Sequence, residues 1–588
     1  MPVPMMHLPT LPYRLIGREE DCQMVIKRLQ KRDGAVIVHG PHGIGKTTLA
    51  RHLAQELDYP GGVVWIPFGP EVRRADTILP LVGIPPETLV ILDDVRFAEP
   101  ARDIYRSLPT GTACLITTPD RSLFDFGQTW GLNNLTEADA YELIKDRLGD
   151  IELNAPLEEI IRLLNGSPLA LDLVARYLLQ QGIDAAPLYL EHLHQNAKSL
   201  AKNPLETLSR LNYEILPEQL KSRFRALGAL KPGTPFPKVM AYAVWDDPEA
   251  DTLTCLDRAG MLTVFEDYCE QHVVLHTYAR LLAQQANEQD GNLGRYTRHV
   301  IEFLAEPEKS DQSLYLPHIH HVGDMLIAYL HAWVFSDIAL GSLTQPEPPE
   351  VLPPIGPQDR TAHALLERGL HFAAEISHSE FRDWIGEEKH RYWYKMGLAC
   401  ARLLSDPKME VRFLRRLTPF HNPSLALRYH QSRLRIARNL QNQLAEAEAL
   451  IAIGHCYGLH LDQARRGIEL LEQALQIGYQ TGGQSLIGSA LYSIGEIHYR
   501  QKRVDLGIEF IQQAIQIARN ANLFEAEATS VLRLAHILHQ DLHETDQAII
   551  LITTTLARLE MDEKETEQFY YRQLRNSLDF MQNSPPPE

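Results

Sequence analysis

The octapeptide Gly40-Pro41-His42-Gly43-Ile44-Gly45-Lys46-Thr47 constrains this chain more than any other stretch. It fits Gly-x4-Gly-Lys-Thr, a loop that works only between a strand and a helix. An apolar run, Ala35–His39, precedes it, and a helical segment follows to about Glu56. The glycines let backbone N–H groups curl around phosphates, and the helix start adds the positive end of its dipole. Lys46 is expected to neutralise β- and γ-phosphates and the Thr47 hydroxyl to ligate magnesium. Further on, Leu89-Val90-Ile91-Leu92-Asp93-Asp94 has the pattern of a buried strand ending in acid. Asp93 is expected in the Mg2+ shell, and Asp94 is placed to polarise an attacking water. The ligand these residues call for is ATP or ADP.

The surroundings suit such a loop. Ala35–His39, Val63–Phe68, Leu89–Asp93 and Ala113–Thr117 are short β-rich runs separated by helical segments, which predicts βαβ units and a mainly parallel sheet. Past Thr136 the periodicity turns helical, over Ala138–Leu148, Leu157–Leu164 and Ala170–Gln180. Met261–Phe265 and His272–Leu275 flank the polar turn Glu266-Asp267-Tyr268 and read as a hairpin wing. Ala286–Asn292 reads as a polar connector. The stretch 341–359 carries six prolines and is expected to be an extended loop.

Composition narrows the partners. The 588 residues are 44% hydrophobic and 23% charged, as in globular chains of several domains, and the formal net charge of −19 argues against a nucleic-acid-binding surface. Six scattered cysteines form no Cys-x-x-Cys pair, which points to a cytoplasmic location. No signal peptide and no membrane span are expected. His318, His320 and His321 spread over different helical faces, and no cysteine completes a metal set.

The C-terminal part repeats itself. Gly467-Ile468-Glu469-Leu470-Leu471-Glu472-Gln473-Ala474 matches Gly507-Ile508-Glu509-Phe510-Ile511-Gln512-Gln513-Ala514 at an offset of 40 residues. Small residues at Gly495, Gly507 and Ala514 let antiparallel helices approach, and Ile494 and Ile511 fill the space between. The pattern resembles a tetratricopeptide repeat whose long period calls for extended turns between helices.

Further motifs occur in a specific order over residues 15–285. Ile16-Gly17-Arg18-Glu19 precedes the phosphate loop, which continues into Thr47-Thr48-Leu49-Ala50. Then come Asp93-Asp94-Val95, Thr117-Thr118, Gly166-Ser167-Pro168-Leu169-Ala170-Leu171 and Leu275-His276-Thr277. In this order they resemble the NB-ARC ATPases, a group of STAND-class signalling ATPases. The resemblance implies a multidomain chain: an arm at 1–14, an α/β P-loop domain at 15–135, a helical domain at 136–204 and a winged-helix domain at 205–285. A helical connector at 286–415, an α-helical tetratricopeptide-like solenoid at 416–580 and a disordered tail at 581–588 would complete it. Ile16, Gly17, Arg18 and Pro168 would border the adenine. Gly43, Ile44, Gly45, Lys46, Thr47 and Thr48 would hold the phosphates, and His276 would touch the ADP β-phosphate. Where the family carries a sensor arginine, this chain has Pro119, which leaves Arg121 as the candidate. The implied function is a nucleotide switch: ADP-bound at rest, sensing a protein or peptide ligand on the repeats. With ATP it would open and form a homo-oligomer that recruits a separate effector. The alternatives are a constitutive ATPase and a repeat scaffold with a structural nucleotide.

Overall fold

The computed structural model describes residues 14–32, 34–68, 84–149, 154–247, 250–305, 312–334, 337–347, 360–376, 386–420, 422–559 and 565–583. The chain divides into two compact units, Met1–Ala328 with Glu375–Glu387, and Tyr329–Ala374 with Glu388–Glu588.

The first unit opens with helix α1 (Glu19–Lys31), strand β1 (Val36–His39) and helix α2 (Lys46–Glu56). Strands β2 (Val63–Pro67) and β3 (Leu89–Asp93), helix α3 (Ala98–Ser107), and strands β4 (Ala113–Thr118) and β5 (Gln128–Gly131) follow. The strands form one parallel sheet in the order β2-β3-β4-β1-β5. Every residue of β3 and β4 is buried, as expected of strands covered on both faces. The expected parallel sheet is present. The short strand β5 is additional; its Gln-Thr-Trp-Gly sequence offers no apolar run to announce it.

Helices α4 (Glu137–Leu148), α5 (Ala155–Leu163), α6 (Pro168–Gln181), α7 (Ala186–Gln195), α8 (Ala197–Lys202) and α9 (Pro204–Glu214) share one apolar core around Leu157, Leu171, Tyr189 and Leu208. Helix α10 (Glu218–Leu227), strand β6 (Phe236–Pro237), helices α11 (Lys238–Trp245) and α12 (Ala250–Arg258), strands β7 (Thr263–Val264) and β8 (Tyr268–Glu270), and helix α13 (Val273–Gln285) come next. The three strands pair antiparallel in the order β6-β8-β7.

This corrects the expected hairpin. Its second strand is Tyr268–Glu270, and Val273 begins a helix. The β-branched pair Val273-Val274 mimics a strand, but Leu275, Ala279 and Ala283 recur at helical spacing and are buried. The His272 ring nitrogen accepts from the Val274 N–H and caps the helix start. The connector expected at Ala286–Asn292 is also mostly helical, because α14 (Gln289–Ala305) begins within it. Buried His318 bonds the Tyr296 hydroxyl at 2.8 Å and the Pro235 carbonyl at 3.0 Å. Among the described residues no cluster of three or more His, Cys, Asp or Glu is placed to hold a metal ion.

The second unit is a tetratricopeptide-like helical solenoid. Two of its helices, Gln484–Arg500 and Val504–Asn520, are each 17 residues long. Only residues 501–503 separate them, and 521–523 lead to the next helix, Phe524–Gln540. The 40-residue period is therefore taken up by long helices and not by extended turns. A left-handed residue at the centre of each turn, Lys502 (φ 62°) and Asn522 (φ 53°), reverses the chain in the smallest space. The small residues do what their spacing predicts: a Cβ on Gly495 would lie 2.9 Å from the Gly507 carbonyl oxygen.

The stretch 341–359 departs from an extended loop at its start, since Asp337–Leu343 is helical. Its prolines begin only at Pro346, too late to stop that helix. Positions 348–359 lie outside the described residues, as do 1–13 and the tail 584–588. Positions 581–583, expected in the tail, end the helix Glu565–Asn583. Among the described residues all six cysteines are free and no helix is long and apolar enough to cross a membrane.

One glycine joins the sheet region to the helices beyond it. Gly166 (φ 66°) accepts from the Leu135 N–H at 2.9 Å, and a Cβ there would lie 2.1 Å from the Leu135 carbonyl oxygen. Gly166→Ala is expected to destabilise the first unit by about 2 kcal/mol or more, combining a left-handed backbone with a clash. Thermal denaturation checks this; an unchanged midpoint would contradict it.

Candidate nucleotide-binding site

The loop between β1 and α2 runs over the carboxyl ends of the strands, where open α/β sheets bind ligands. Gly43 (φ 77°) and Gly45 (φ 99°) are both left-handed, and Gly45 caps α2. A side chain at Gly43 would strike Leu169, whose N–H donates to the Gly43 carbonyl at 3.2 Å. Helix α6 is thereby pinned by its first turn to the phosphate loop. The buried Lys46 ammonium donates to the loop's own carbonyls, Gly40 at 2.8 Å and Pro41 at 3.0 Å. Burial lowers its pKa, and Asp94 and Asp93 oppose that shift.

Asp93 collects the hydroxyls around it. Thr47 Oγ1 donates to its carboxylate at 2.9 Å and Thr117 Oγ1 at 2.6 Å. Burial raises the Asp93 pKa, against the Thr117 hydrogen bond and nearby Arg51. Asp94 is left-handed (φ 56°), its N–H donates to Thr117 Oγ1 at 2.8 Å, and its carboxylate pairs with Arg96 at 3.0 Å. A non-glycine residue held there is a local strain of the kind found at functional sites.

A cleft of about 260 Å³ extends from this cluster. Its polar end holds Lys46, Thr47, Thr48, Asp93 and Asp94, together with Gly43, Ile44 and Gly45 of the loop. Ile16, Leu135, Leu143 and Pro168 give it an apolar end. Arg18 is also on the wall, but its guanidinium is engaged, donating to the Ile44 carbonyl at 2.9 Å and pairing with Asp21 at 3.0 Å. Gly17 (φ 65°) is not among the lining residues; a Cβ there would meet the Asp139 side chain at 2.6 Å.

Two expected positions lie elsewhere. His276 is buried in α13 and bonds the Leu230 carbonyl at 2.9 Å instead of lining the cleft. From this segment it is His272 that reaches the wall, one helical turn upstream at the cap of α13, alongside His42 of the phosphate loop. Arg121 is exposed on a short turn after β4, also off the cleft.

Sequence reasoning missed several wall residues. Arg147 lines the cleft from α4 and pairs with Asp172 at 2.9 Å. Buried Arg51 pairs with Glu270 of β8, with its guanidinium 5.5 Å from the Trp65 ring centroid and 5.9 Å from that of Phe265. Burial alone would lower the Arg51 pKa, and Glu270 reverses that into a rise. Arg51 stands four residues after Thr47, on the same helical face, a spacing that could have flagged it. Glu270 and His272 belong to segments whose approach to the cleft no local pattern announces.

Fold and site together define a P-loop NTPase domain in a chain that continues into a tetratricopeptide-like helical array. No family model matches the chain. It is 33% identical over 107 residues to the Holliday junction branch migration complex subunit RuvB of Lactobacillus delbrueckii subsp. bulgaricus, a match covering 17% of this chain. The chain thus spans 31% of the length of the curated relatives it matches. Among solved structures it is similar to a Signal Transduction ATPase with Numerous Domains (STAND) protein with a tetratricopeptide repeat sensor from Pyrococcus horikoshii. That likeness covers 100% of this chain and 95% of the other, at 15% identity and a TM-score of 0.40. A Thermotoga maritima RuvB mutant is similar at 18% identity and a TM-score of 0.25, covering 46% of this chain and 96% of RuvB.

Removing one member of the Arg51–Glu270 pair leaves a buried charge without its partner. Arg51→Met is expected to lower stability by about 3 kcal/mol, and adding Glu270→Leu to restore most of it. A double-mutant denaturation cycle checks this; strictly additive losses would refute the coupling. The cleft also predicts acid sensitivity. Burial, with His42, Lys46 and Arg96 nearby, holds the His272 pKa at about 3 against an ordinary 6.5. The unfolded chain therefore takes up a proton first as pH falls below 6.5, and stability drops from there towards pH 3. His272→Asn keeps a capping side chain and should flatten the fall in melting temperature between these limits. An unchanged slope would exclude His272 as its source.

Proposed function

We propose that this chain is a nucleotide-switched signal-transduction ATPase of the STAND type, resting with ADP in the cleft. The observation that carries the proposal is the composition of the cleft wall. The P-loop cluster of Lys46, Thr47 and Asp93 faces Glu270, Gln271, His272 and Val273 across one cavity. A nucleotide held there touches both the P-loop domain and the segment proposed to be the winged-helix domain, so its identity can bias how they close. Helices α4 to α8 are proposed to form the helical domain, 136–204, between them.

Thr47 and Asp93 offer the hard oxygen donors that Mg2+ takes, and burial raises the Asp93 pKa despite nearby Arg51. These two residues would hold the ion, which when bound neutralises charge on the β- and γ-phosphates. Lys46 would leave the Gly40 and Pro41 carbonyls for the phosphates, while Gly43, Gly45 and Thr48 offer backbone donors. Ile16 and Pro168 would flank the adenine, with Arg18 bracing the loop behind it. In place of His276, His272 is proposed as the histidine that reports on the phosphates. The Asp94–Arg96 pair favours slow or regulated hydrolysis over constitutive turnover, because the acid suited to polarise water is engaged. The repeat array is proposed as the sensor, and homo-oligomerisation with ATP, followed by recruitment of a separate effector, as the output.

Denaturing the purified protein and identifying the released nucleotide tests this directly. Near-stoichiometric ADP is expected from the native chain and none from Lys46→Ala. An empty site that turns ATP over freely would replace the switch with a plain ATPase. A site that binds neither nucleotide would refute both.

A further inference from the structure

The helical array of the second unit contains a cavity of about 700 Å³, within the range that takes a small organic molecule. Its walls come from the helices Pro407–Leu417, Pro423–Asn439, Gln443–His455 and Gln484–Arg500. One side is apolar, with Ala426, Ile451, Ala452 and Leu486. The other carries Arg415, His430, Arg433 and Glu448.

The charges on that side do not balance. Arg433 is only 4% exposed. Its Nη1 meets His430 Nδ1 at 3.0 Å, its Nη2 stands 3.6 Å from Glu448 Oε2, and its Nε has no hydrogen-bond partner. Arg415 Nη1 lies 3.6 Å from the same Glu448 oxygen. Two guanidinium groups thus share one carboxylate oxygen, neither within hydrogen-bonding distance, and a buried donor is left over. Leaving such a buried donor unsatisfied is unfavourable. Burial and the neighbouring Arg415 pull the Arg433 pKa to about 10, with Glu448 opposing only in part. Burial, Arg433 and His455 hold His430 at about 4, so it is neutral at ordinary pH. The polar wall carries a net positive charge.

A second, independent feature marks the same place. Gly467 follows Gly454 by 13 residues, whereas Gly507 follows Gly495 by 12. Both glycine pairs make the same close helix contact, a Cβ on the first lying 2.9 Å from the carbonyl oxygen of the second. The extra residue is absorbed as a π-helical turn, Cys456–His460, which sets Cys456 and His460 on the cavity wall beside His455. Such single-turn insertions are frequent at functional sites.

We propose that this cavity binds a small organic anion, a carboxylate or a phosphate monoester. Its head group lies against Arg433 and Arg415, and its apolar body against Ile451, Ala452 and Leu486. Arginine suits both head groups through its paired N–H donors, and neither Arg433 nor Arg415 is held in a hydrogen bond by Glu448. In its consequence the proposal rests on the switch reading above: the anion is the ligand that the array senses.

Calorimetric titration of the full chain tests the site, with saturating ADP present so that phosphates cannot enter the P-loop. Benzoate and phenyl phosphate are the probes and benzyl alcohol the neutral control. At least one anion is expected to bind where benzyl alcohol does not, and the tighter of the two assigns the head group. Arg433→Gln and, separately, Arg415→Gln should each weaken binding by about tenfold or more. Arg465→Gln should leave it unchanged, since that side chain is 94% exposed and pairs with Glu469. No binding by either anion, equal binding of benzyl alcohol, or affinity unaltered in both cavity variants would overturn the proposal. ADP release is read separately, on protein carrying only its co-purified ADP with no free nucleotide added. Arginine-dependent binding without ADP release would keep the site and remove its role as trigger.

Discussion

The Asp93 carboxylate sits where it can be kept only by its neighbours. It is buried at the end of β3, and its position is held by hydroxyls from α2 and β4, Thr47 and Thr117. A buried carboxylate without such donors is strongly unfavourable. Three elements are therefore keyed to one side chain, and the phosphate loop inherits their alignment. The same charge reaches Arg51 one helical turn after Thr47, and Arg51 in turn requires Glu270. A compensation that begins at the carboxyl end of β3 ends in β8, more than 170 residues further along the chain.

This linkage gives the cleft its character. Its phosphate end is built by the loop's left-handed glycines, and its opposite wall by residues that arrive only when the later helices and strands pack. Gly166 and Leu169 fix that packing through main-chain bonds to Leu135 and Gly43. A switch can be made from such parts because the charges are satisfied across the cleft. The repeat array reverses this logic. Its helices meet largely through glycines and apolar side chains, and Arg433 is a buried arginine among them whose Nε has no hydrogen-bond partner.

Much was legible from residues alone, for a physical reason in each case. The phosphate loop and the Asp93 strand end are local patterns, and β1, β3 and β4 are continuous apolar runs. The helical repeat was visible in glycines spaced to allow backbone contact. What misled was equally local. Val273-Val274 imitates a strand, but its side chains begin a helix capped by His272. The expected phosphate contact, taken from the resemblance of Leu275-His276-Thr277, fell on His276, whose ring is committed to the Leu230 carbonyl. The long repeat period suggested long turns, although three-residue turns with a left-handed centre suffice when the helices themselves are longer.

The sequence by itself determined that a phosphate-binding loop follows a buried strand, that an acid ends the partner strand, and that a helical array follows. These properties depend on neighbours a few residues apart or on a regular period. Only the tertiary structure decided which side chains complete the cleft, that Asp94 is engaged by Arg96 and Arg51 by Glu270, and that His272 and not His276 stands on the wall. The same holds for Arg415, Arg433 and Glu448 in the repeat cavity. Those outcomes depend on which distant charges burial forces together, and burial is a property of the packed chain, not of any window along it.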